Sequence, residues 1–192
     1  RQVVAASDTS YSSSPWPCRA CAGWGSGNRP RLAGPGGEAG RYLETDEYLR
    51  GVFPVELPAA KVLWVTGELR KSVERMLGHE FKSLRVRYWH DGATTAWVLD
   101  EVGKEMPITI GVAVAAGAID DVSVLEFRES RGWEVRYPFF TDQFVAARLG
   151  PNEHLDTHID GITGATLSVN AVTRIARVAL LLHEHVTDAD PG

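Results

Sequence analysis

Apolar and polar residues alternate through the middle of the chain, and this pattern predicts β-strands. Between residues 83 and 90, apolar side chains at every second position are separated by arginines and a tryptophan, as in a strand with one buried face. Asp91-Gly92 then marks a hairpin. Short turns between successive strands require antiparallel pairing. The predicted strands cover residues 83–90, 95–102, 106–116 and 122–128.

Other parts of the chain have apolar residues at helical spacing. The last helix is the clearest, since Val172, Ile175 and Ala179 fall on one face. Gly78 is a natural end for an earlier helix. Strands followed by helices predict an α+β fold, an antiparallel β-sheet packed against helices on one face. The predicted helices cover residues 42–49, 59–77, 139–149 and 167–186.

The first forty residues differ in composition from the rest. They contain runs such as Ser12-Ser13-Ser14 and Gly36-Gly37, which offer too little apolar surface to form a core. We expect a flexible Pro/Gly/Ser-rich arm over residues 1–40 and one folded domain over residues 41–192.

Composition supports a globular domain and narrows the set of partners. The chain has 192 residues, 44% of them hydrophobic, and a net charge of -5. Nucleic acids and anionic membranes both require a basic face, so neither is expected as a partner. No apolar run reaches the roughly 20 residues of a membrane span. The sequence begins with Arg1, which leaves open whether an export signal or an anchor has been removed.

Cys18 and Cys21 are the only cysteines, at C-x-x-C spacing. Haem attachment would need a histidine next, and a zinc site would need two further ligands. A redox pair would begin a helix after a strand. We therefore interpret them as two thiols or a local disulfide in the arm. His154 and His158 fall in a polar loop, and no metal site is expected.

The sequence from 160 to 168 joins a glycine-containing turn to the start of the last helix. A helix start offers unpaired N–H groups and a partial positive charge, which favour phosphate. Gly161 and Gly164 let a ligand approach the backbone, and Ala165 is small. The plainer alternative is that a threonine here caps the helix. Physical reasoning alone leaves both interpretations open.

The seven residues D-G-I-T-G-A-T, from Asp160 to Thr166, resemble the flavinylation motif of the FMN-binding domain family. That family includes subunits of the sodium-pumping NADH:quinone reductase and of the Rnf complex. The resemblance implies FMN linked covalently through its phosphate to Thr166, installed by a separate FAD-dependent flavin transferase. By the same resemblance, the cofactor-binding residues around the motif are Asp160, Thr163, Gly164, Ala165, Thr166, Leu167 and Ser168.

The region upstream of the motif extends the resemblance. The family has a Glu-Thr-Pro-Gly segment beside the flavin ring, and residues 129–132 read Glu-Ser-Arg-Gly. Glu129 and Ser130 are therefore also implied as cofactor-binding residues, while Arg131 departs from the pattern. Aromatic residues downstream are candidates either for a wall against the ring or for the core. They are Trp133, Tyr137, Phe139 and Phe140.

The function implied by the resemblance is electron transfer. We expect a flavoprotein that relays electrons between redox partner proteins in an exported or membrane-associated chain. The expected location is extracytoplasmic, with membrane contact only through partners or a missing anchor. Two alternatives remain open. One is an FMN-dependent reductase acting on a small molecule. The other is a sensory or interaction domain that has lost the flavin.

Overall fold

A computed structural model describes residues 40–189 of the chain. They form a six-stranded antiparallel sheet in the order β1-β6-β5-β4-β3-β2. Except for Gly40, the arm predicted over residues 1–40 lies outside the described residues, as do both cysteines. The strands are β1 Gly40–Arg41, β2 Lys61–Trp64, β3 Arg85–His90, β4 Thr94–Val102, β5 Pro107–Ala115 and β6 Ala118–Phe127.

The four predicted strands correspond to β3 to β6. β4 and β5 form the longest regular ladder, from Thr94 opposite Ala115 to Val102 opposite Pro107. β5 is buried along most of its length, as its apolar run predicts. The antiparallel α+β class is therefore confirmed. The helices are α1 Thr45–Val52, α2 Gly67–Leu77, α3 Pro138–Thr141 and α4 Thr166–Ala189.

The helix predicted over residues 59–77 is wrong in its first half. Lys61–Trp64 is instead the edge strand β2, which pairs with β3. Thr66 keeps an extended backbone, and Gly67 has a φ of 57°, so the helix starts only there. Apolar spacing alone did not separate the two segments. Pairing with the open edge of β3 satisfies backbone groups that a helix would satisfy within itself.

The helix predicted over residues 139–149 is also too long. α3 ends at Thr141, and a single 3-10 turn, Asp142–Phe144, follows it. The Ala146 N–H then donates to the Ile119 carbonyl at 2.8 Å, and the Ile119 N–H donates to the Ala147 carbonyl at 2.9 Å. The chain leaves helical geometry because these residues bond to β6.

Helices cover both faces of the sheet, not one face as predicted. α2 and α4 pack with most strand residues in the larger core. α1 lies on the opposite face, where Tyr48 and Leu49 form a smaller core with Ala96 and Leu125. Gly111 makes that packing possible, because a Cβ there would lie 2.6 Å from the Tyr48 ring. Within residues 40–189, no helix is long and apolar enough to cross a membrane.

Candidate functional site

A tight turn over residues 162–165 precedes α4. The Ala165 N–H donates to the Ile162 carbonyl at 3.0 Å, which closes the turn around Thr163 and Gly164. Gly164 has a φ of 84°, the left-handed region that favours glycine at this position of a type II turn. The glycine at 164 is thus required by the backbone.

The start of α4 has no side-chain cap. Its first intrahelical hydrogen bond runs from the Val169 N–H to the Ala165 carbonyl at 2.9 Å, so Ala165 occupies the N-cap position. Alanine has no side-chain acceptor and is among the poorest N-cap residues. The N–H groups of the next three residues precede that first bond and have no acceptor within the helix. The interpretation of a threonine as N-cap is therefore wrong for this helix.

Some side chains of the motif are buried in the fold, and others are exposed to solvent. Ala165 is only 3% exposed, and Ser168 is buried. Thr163 and Thr166 are exposed. A Cβ placed on Gly161 or on Gly164 would meet no atom within 4 Å. Thr166, the first residue of α4, therefore stands at an open surface beside free backbone donors.

The loop over residues 129–132, which the resemblance places beside the flavin ring, packs against the start of α4. Gly132, with a φ of 89°, packs so closely that a Cβ there would be 2.5 Å from Oγ of Ser168 and 3.4 Å from Cβ of Ala165. Ser130 and Arg131 are exposed on the same loop. The loop after β6 and the start of α4 thus form one surface.

Glu129 is buried, and its carboxylate is committed to the backbone. Oε1 accepts hydrogen bonds from the N–H groups of Lys104, Glu105 and Met106 at 2.5, 2.6 and 2.8 Å. Burial alone would raise the pKa of Glu129, but these three amides outweigh it and hold the pKa below its usual value. Glu129 therefore fixes the β4–β5 turn beside the loop. Its contact with a cofactor stays a prediction.

The four aromatic candidates separate into core and surface. Phe140 is fully buried in the main core, and Trp133 packs against that core. Phe139 is 62% exposed, and its ring stacks on that of Tyr137 with centroids 6.2 Å apart. The Arg136 guanidinium also lies over the Tyr137 ring, 4.9 Å from its centroid. Tyr137 and Phe139 are thus the accessible pair.

Gln143 connects this aromatic pair to the motif, a link that sequence reasoning missed. Its Oε1 accepts a hydrogen bond from the Asp160 N–H at 2.7 Å, and its Nε2 donates to the Phe139 carbonyl at 3.3 Å. The Asp160 carboxylate is exposed and lies 3.6 Å from His158. A glutamine in a short helix carries no signal that would have predicted this bridge.

Metal-binding arrangements are not found in the part of the chain that the structure describes. Among residues 40–189, no group of three or more His, Cys, Asp and Glu side chains could hold a metal ion. His158 is exposed, and its Nε2 lies 3.6 Å from Oδ1 of Asp160.

Comparison with known proteins gives a family match for part of the chain. Residues 103–181 match the family model of the FMN-binding domain. This stretch is thus similar to the FMN-binding domain family. It includes β5, β6, the loop carrying Gly132 and most of α4. No curated protein and no solved structure matches the chain.

The residues at the start of α4 fit the phosphate end of FMN. The uncapped helix start supplies N–H donors and a partial positive charge, and the open space over Gly161 and Gly164 leaves access to the backbone. Thr166 adds an exposed hydroxyl at the same point. The buried side of the turn, Ala165 and Ser168, is held in place by Gly132.

Proposed function

We propose that this protein is an electron-transfer flavoprotein whose FMN is attached through its phosphate to the hydroxyl oxygen of Thr166. The observation that carries the proposal is the start of α4. There an exposed threonine follows an alanine N-cap and stands among unpaired amides, inside an FMN-binding domain. A helix start without its own cap leaves those donors for an external anion.

The chain would hold the phosphate mainly with its backbone. The N–H groups of Thr166, Leu167 and Ser168 are the free donors of the helix. A phosphodiester keeps one negative charge, which the positive end of the α4 dipole stabilises. Thr163 is exposed in the turn and offers a second hydroxyl. Asp160 is held by Gln143 at the entrance to the turn.

Exposed side chains that could contact the isoalloxazine ring lie at the start of α4 and at the start of α3. Leu167 is 46% exposed, although it lies in an otherwise well-packed helix. Tyr137 and Phe139 offer stacked rings, and Gln143 joins their helix to the motif. We propose that these three apolar side chains cover the ring and limit its contact with water.

Bound FMN would supply reversible electron storage. The chain's own part is to keep the cofactor from dissociating, to neutralise the phosphate and to leave one face of the site accessible. A tethered flavin suits repeated exchange with protein partners better than release and rebinding. We propose redox proteins as donor and acceptor, on the extracytoplasmic side of the membrane.

Attachment would require a partner enzyme. A flavin transferase using FAD would form a bond between the Thr166 oxygen and the FMN phosphorus, with AMP as the leaving group and the hydroxyl proton passing to solvent. Thr166 is exposed at a surface turn, which gives such an enzyme access.

Coexpression with an FAD-dependent flavin transferase tests the proposal. Wild-type protein is expected to keep yellow fluorescence on a denaturing gel, and its absorbance should bleach on reduction and return on reoxidation. Thr166→Ala should give no fluorescent band. Colourless wild-type protein from the same cells would instead favour a sensory or interaction domain without flavin.

A further inference from the structure

A groove lies between the C-terminal end of α2 and the side of α4. Its volume is about 440 Å³. None of the described side chains that line it is acidic, although the whole chain has a net charge of -5. We call it the cationic groove. Its polar lining consists of His79, Asn170, Thr173, Arg174 and Arg177.

Arg174 is held in the groove by a buried carboxylate behind it. Glu101, on β4, is 3% exposed. Its Oε1 accepts a hydrogen bond from the guanidinium of Arg174 at 2.8 Å and lies 2.9 Å from Nε2 of His79. One guanidinium nitrogen of Arg174 thus donates to Glu101, and the other N–H donors of the guanidinium remain available to a ligand. Because this guanidinium is already fixed, its side chain loses little conformational entropy when it binds an anion.

Arg177 is bonded to a backbone carbonyl in the part of the chain that the structure describes. Its Nε donates to the backbone carbonyl of Glu153 at 2.5 Å, while the Glu153 carboxylate pairs with Arg75 at 2.7 Å. Within residues 40–189, no carboxylate oxygen lies within 4.0 Å of the Arg177 guanidinium. Burial is the main cause of a lowered pKa of Arg177. The partly buried charge therefore lacks a direct ion pair among the described residues, and the Glu153 carboxylate acts on it only from beyond 4.0 Å.

The groove and the motif share one face of α4. Asn170, Thr173, Arg174 and Arg177 follow Thr166 by 4, 7, 8 and 11 positions, which places them along one side of a helix. At about 1.5 Å per residue, Arg174 lies roughly 12 Å along the axis from Thr166. A molecule in the groove would thus lie near the motif without occupying it.

We propose that the cationic groove binds a small molecule carrying carboxylate or phosphate groups. Two guanidinium groups three residues apart on one helix provide planar donor pairs that match either anion. Asn170 and Thr173 add neutral polar groups beside them. Glu101 neutralises one of the two guanidinium charges, and the partial negative charge at the end of α2 is weaker than the remaining one, so the groove stays net positive.

Titration of the full 192-residue chain, as purified and without flavin, tests the proposal. Inorganic phosphate and succinate are added separately while amide shifts are followed by NMR, with sodium chloride at equal ionic strength as reference. At least one anion should give saturable shifts centred on His79 and residues 170–177. Saturation by phosphate alone or by succinate alone identifies the anion class.

Variants assign the binding to the groove. Arg177→Gln should weaken the anion's affinity roughly tenfold or more, since a charged hydrogen-bond donor is lost. Arg177→Lys should retain part of the affinity and serves if the glutamine variant fails to fold. Arg50→Gln, an exposed arginine on α1, should bind as wild type does.

Three results would overturn the proposal: no saturable shift with either anion, shifts centred outside the groove, or wild-type affinity in both Arg177 variants. Because the titration uses flavin-free protein, these results are independent of whether Thr166 carries FMN.

Discussion

Gly132 sets how closely the loop after β6 approaches the start of α4. Its φ of 89° and its contact with Ser168 and Ala165 leave no room for a side chain. The resemblance in sequence implied a position beside the flavin ring for the Glu-Ser-Arg-Gly segment, which stays a prediction. The reason for the final glycine is a packing contact between two segments distant in the chain, which no local pattern reveals.

Gly132→Ala should destabilise the domain more than a matched glycine substitution. A left-handed backbone alone costs alanine about 1–2 kcal/mol, and the clash with Ser168 should add roughly 1–3 kcal/mol. Gly92→Ala is the control, because Gly92 has a φ of 74° and open space around a Cβ. Urea unfolding measures both free energies. Equal losses in the two variants would contradict the tight contact.

Glu129→Gln tests whether that carboxylate is a structural brace. The three amide bonds and the lowered pKa mean that ionised Glu129 stabilises the fold above about pH 4.5 and loses this contribution as the pH falls through its folded-state pKa. The variant should lose roughly 1 kcal/mol or more at pH 7, and less at pH 3. A loss that does not change with pH would show that charge is not involved.

α4 connects the site to the core, because its first turn carries the motif while its later turns pack on the sheet. The apolar spacing predicted nearly all of α4, since the same stripe covers β4 and β5. The residue at which α4 begins could not be predicted from the sequence alone. Identifying Ala165 as the N-cap required the hydrogen bond from Val169.

Ala165→Ser should stabilise flavin-free protein and hinder anion binding at the same point. A serine N-cap would satisfy one free amide, worth about 0.5–2 kcal/mol. The same change in a folded helix interior, Ala171→Ser, provides no cap and should not stabilise. Thermal unfolding of flavin-free protein measures both. If Ala165→Ser gives no gain, the amides already have partners.

His183 fixes the far part of α4 to the sheet. Its Nε2 accepts a hydrogen bond from the Gly117 N–H at 3.3 Å, and its Nδ1 lies 2.8 Å from Oγ1 of Thr95. The Gly117 bond requires an unprotonated Nε2, so Nδ1 carries the proton and donates to Thr95. The ring is 4% exposed, and burial, with a smaller effect of His90, lowers the pKa of His183.

Stability should therefore fall in acid through His183. A lowered folded-state pKa means that the contribution is present above the unfolded pKa near 6.5 and is lost as pH falls through the folded value. The slope from one group cannot exceed about 1.4 kcal/mol per pH unit. The free energy of unfolding, measured with urea between pH 8 and pH 5, should change less with pH for His183→Gln than for wild type. His185→Gln, an exposed neighbour on α4, should follow wild type.

For the whole molecule, alternation and turn residues predicted the central four strands, because each strand has one side in the main core. β2 and the position of α1 were missed, each for its own reason. β2 is an exposed edge strand whose Val62 and Trp64 face solvent. Its sequence therefore lacks the alternation of apolar and polar residues that a buried face produces. α1 packs on the second face only because Gly111 admits Tyr48, a contact between elements far apart in sequence.

Thr166 is the proposed point of attachment for FMN. Peptide mass mapping tests this most directly. Trypsin should release residues 149–174 as one peptide, since the chain has arginine at 148 and 174 and no lysine or arginine between them. In protein coexpressed with a flavin transferase, that peptide should carry one FMN less water, and fragmentation should place it on Thr166.

Two variants complete the measurement. Thr163→Ala, in the same exposed turn, should keep the added mass, and Thr166→Ala should lose it. An FMN adduct that remains on the 149–174 peptide of Thr166→Ala, or that fragmentation places on Thr163 or Ser168 in wild type, would contradict the account.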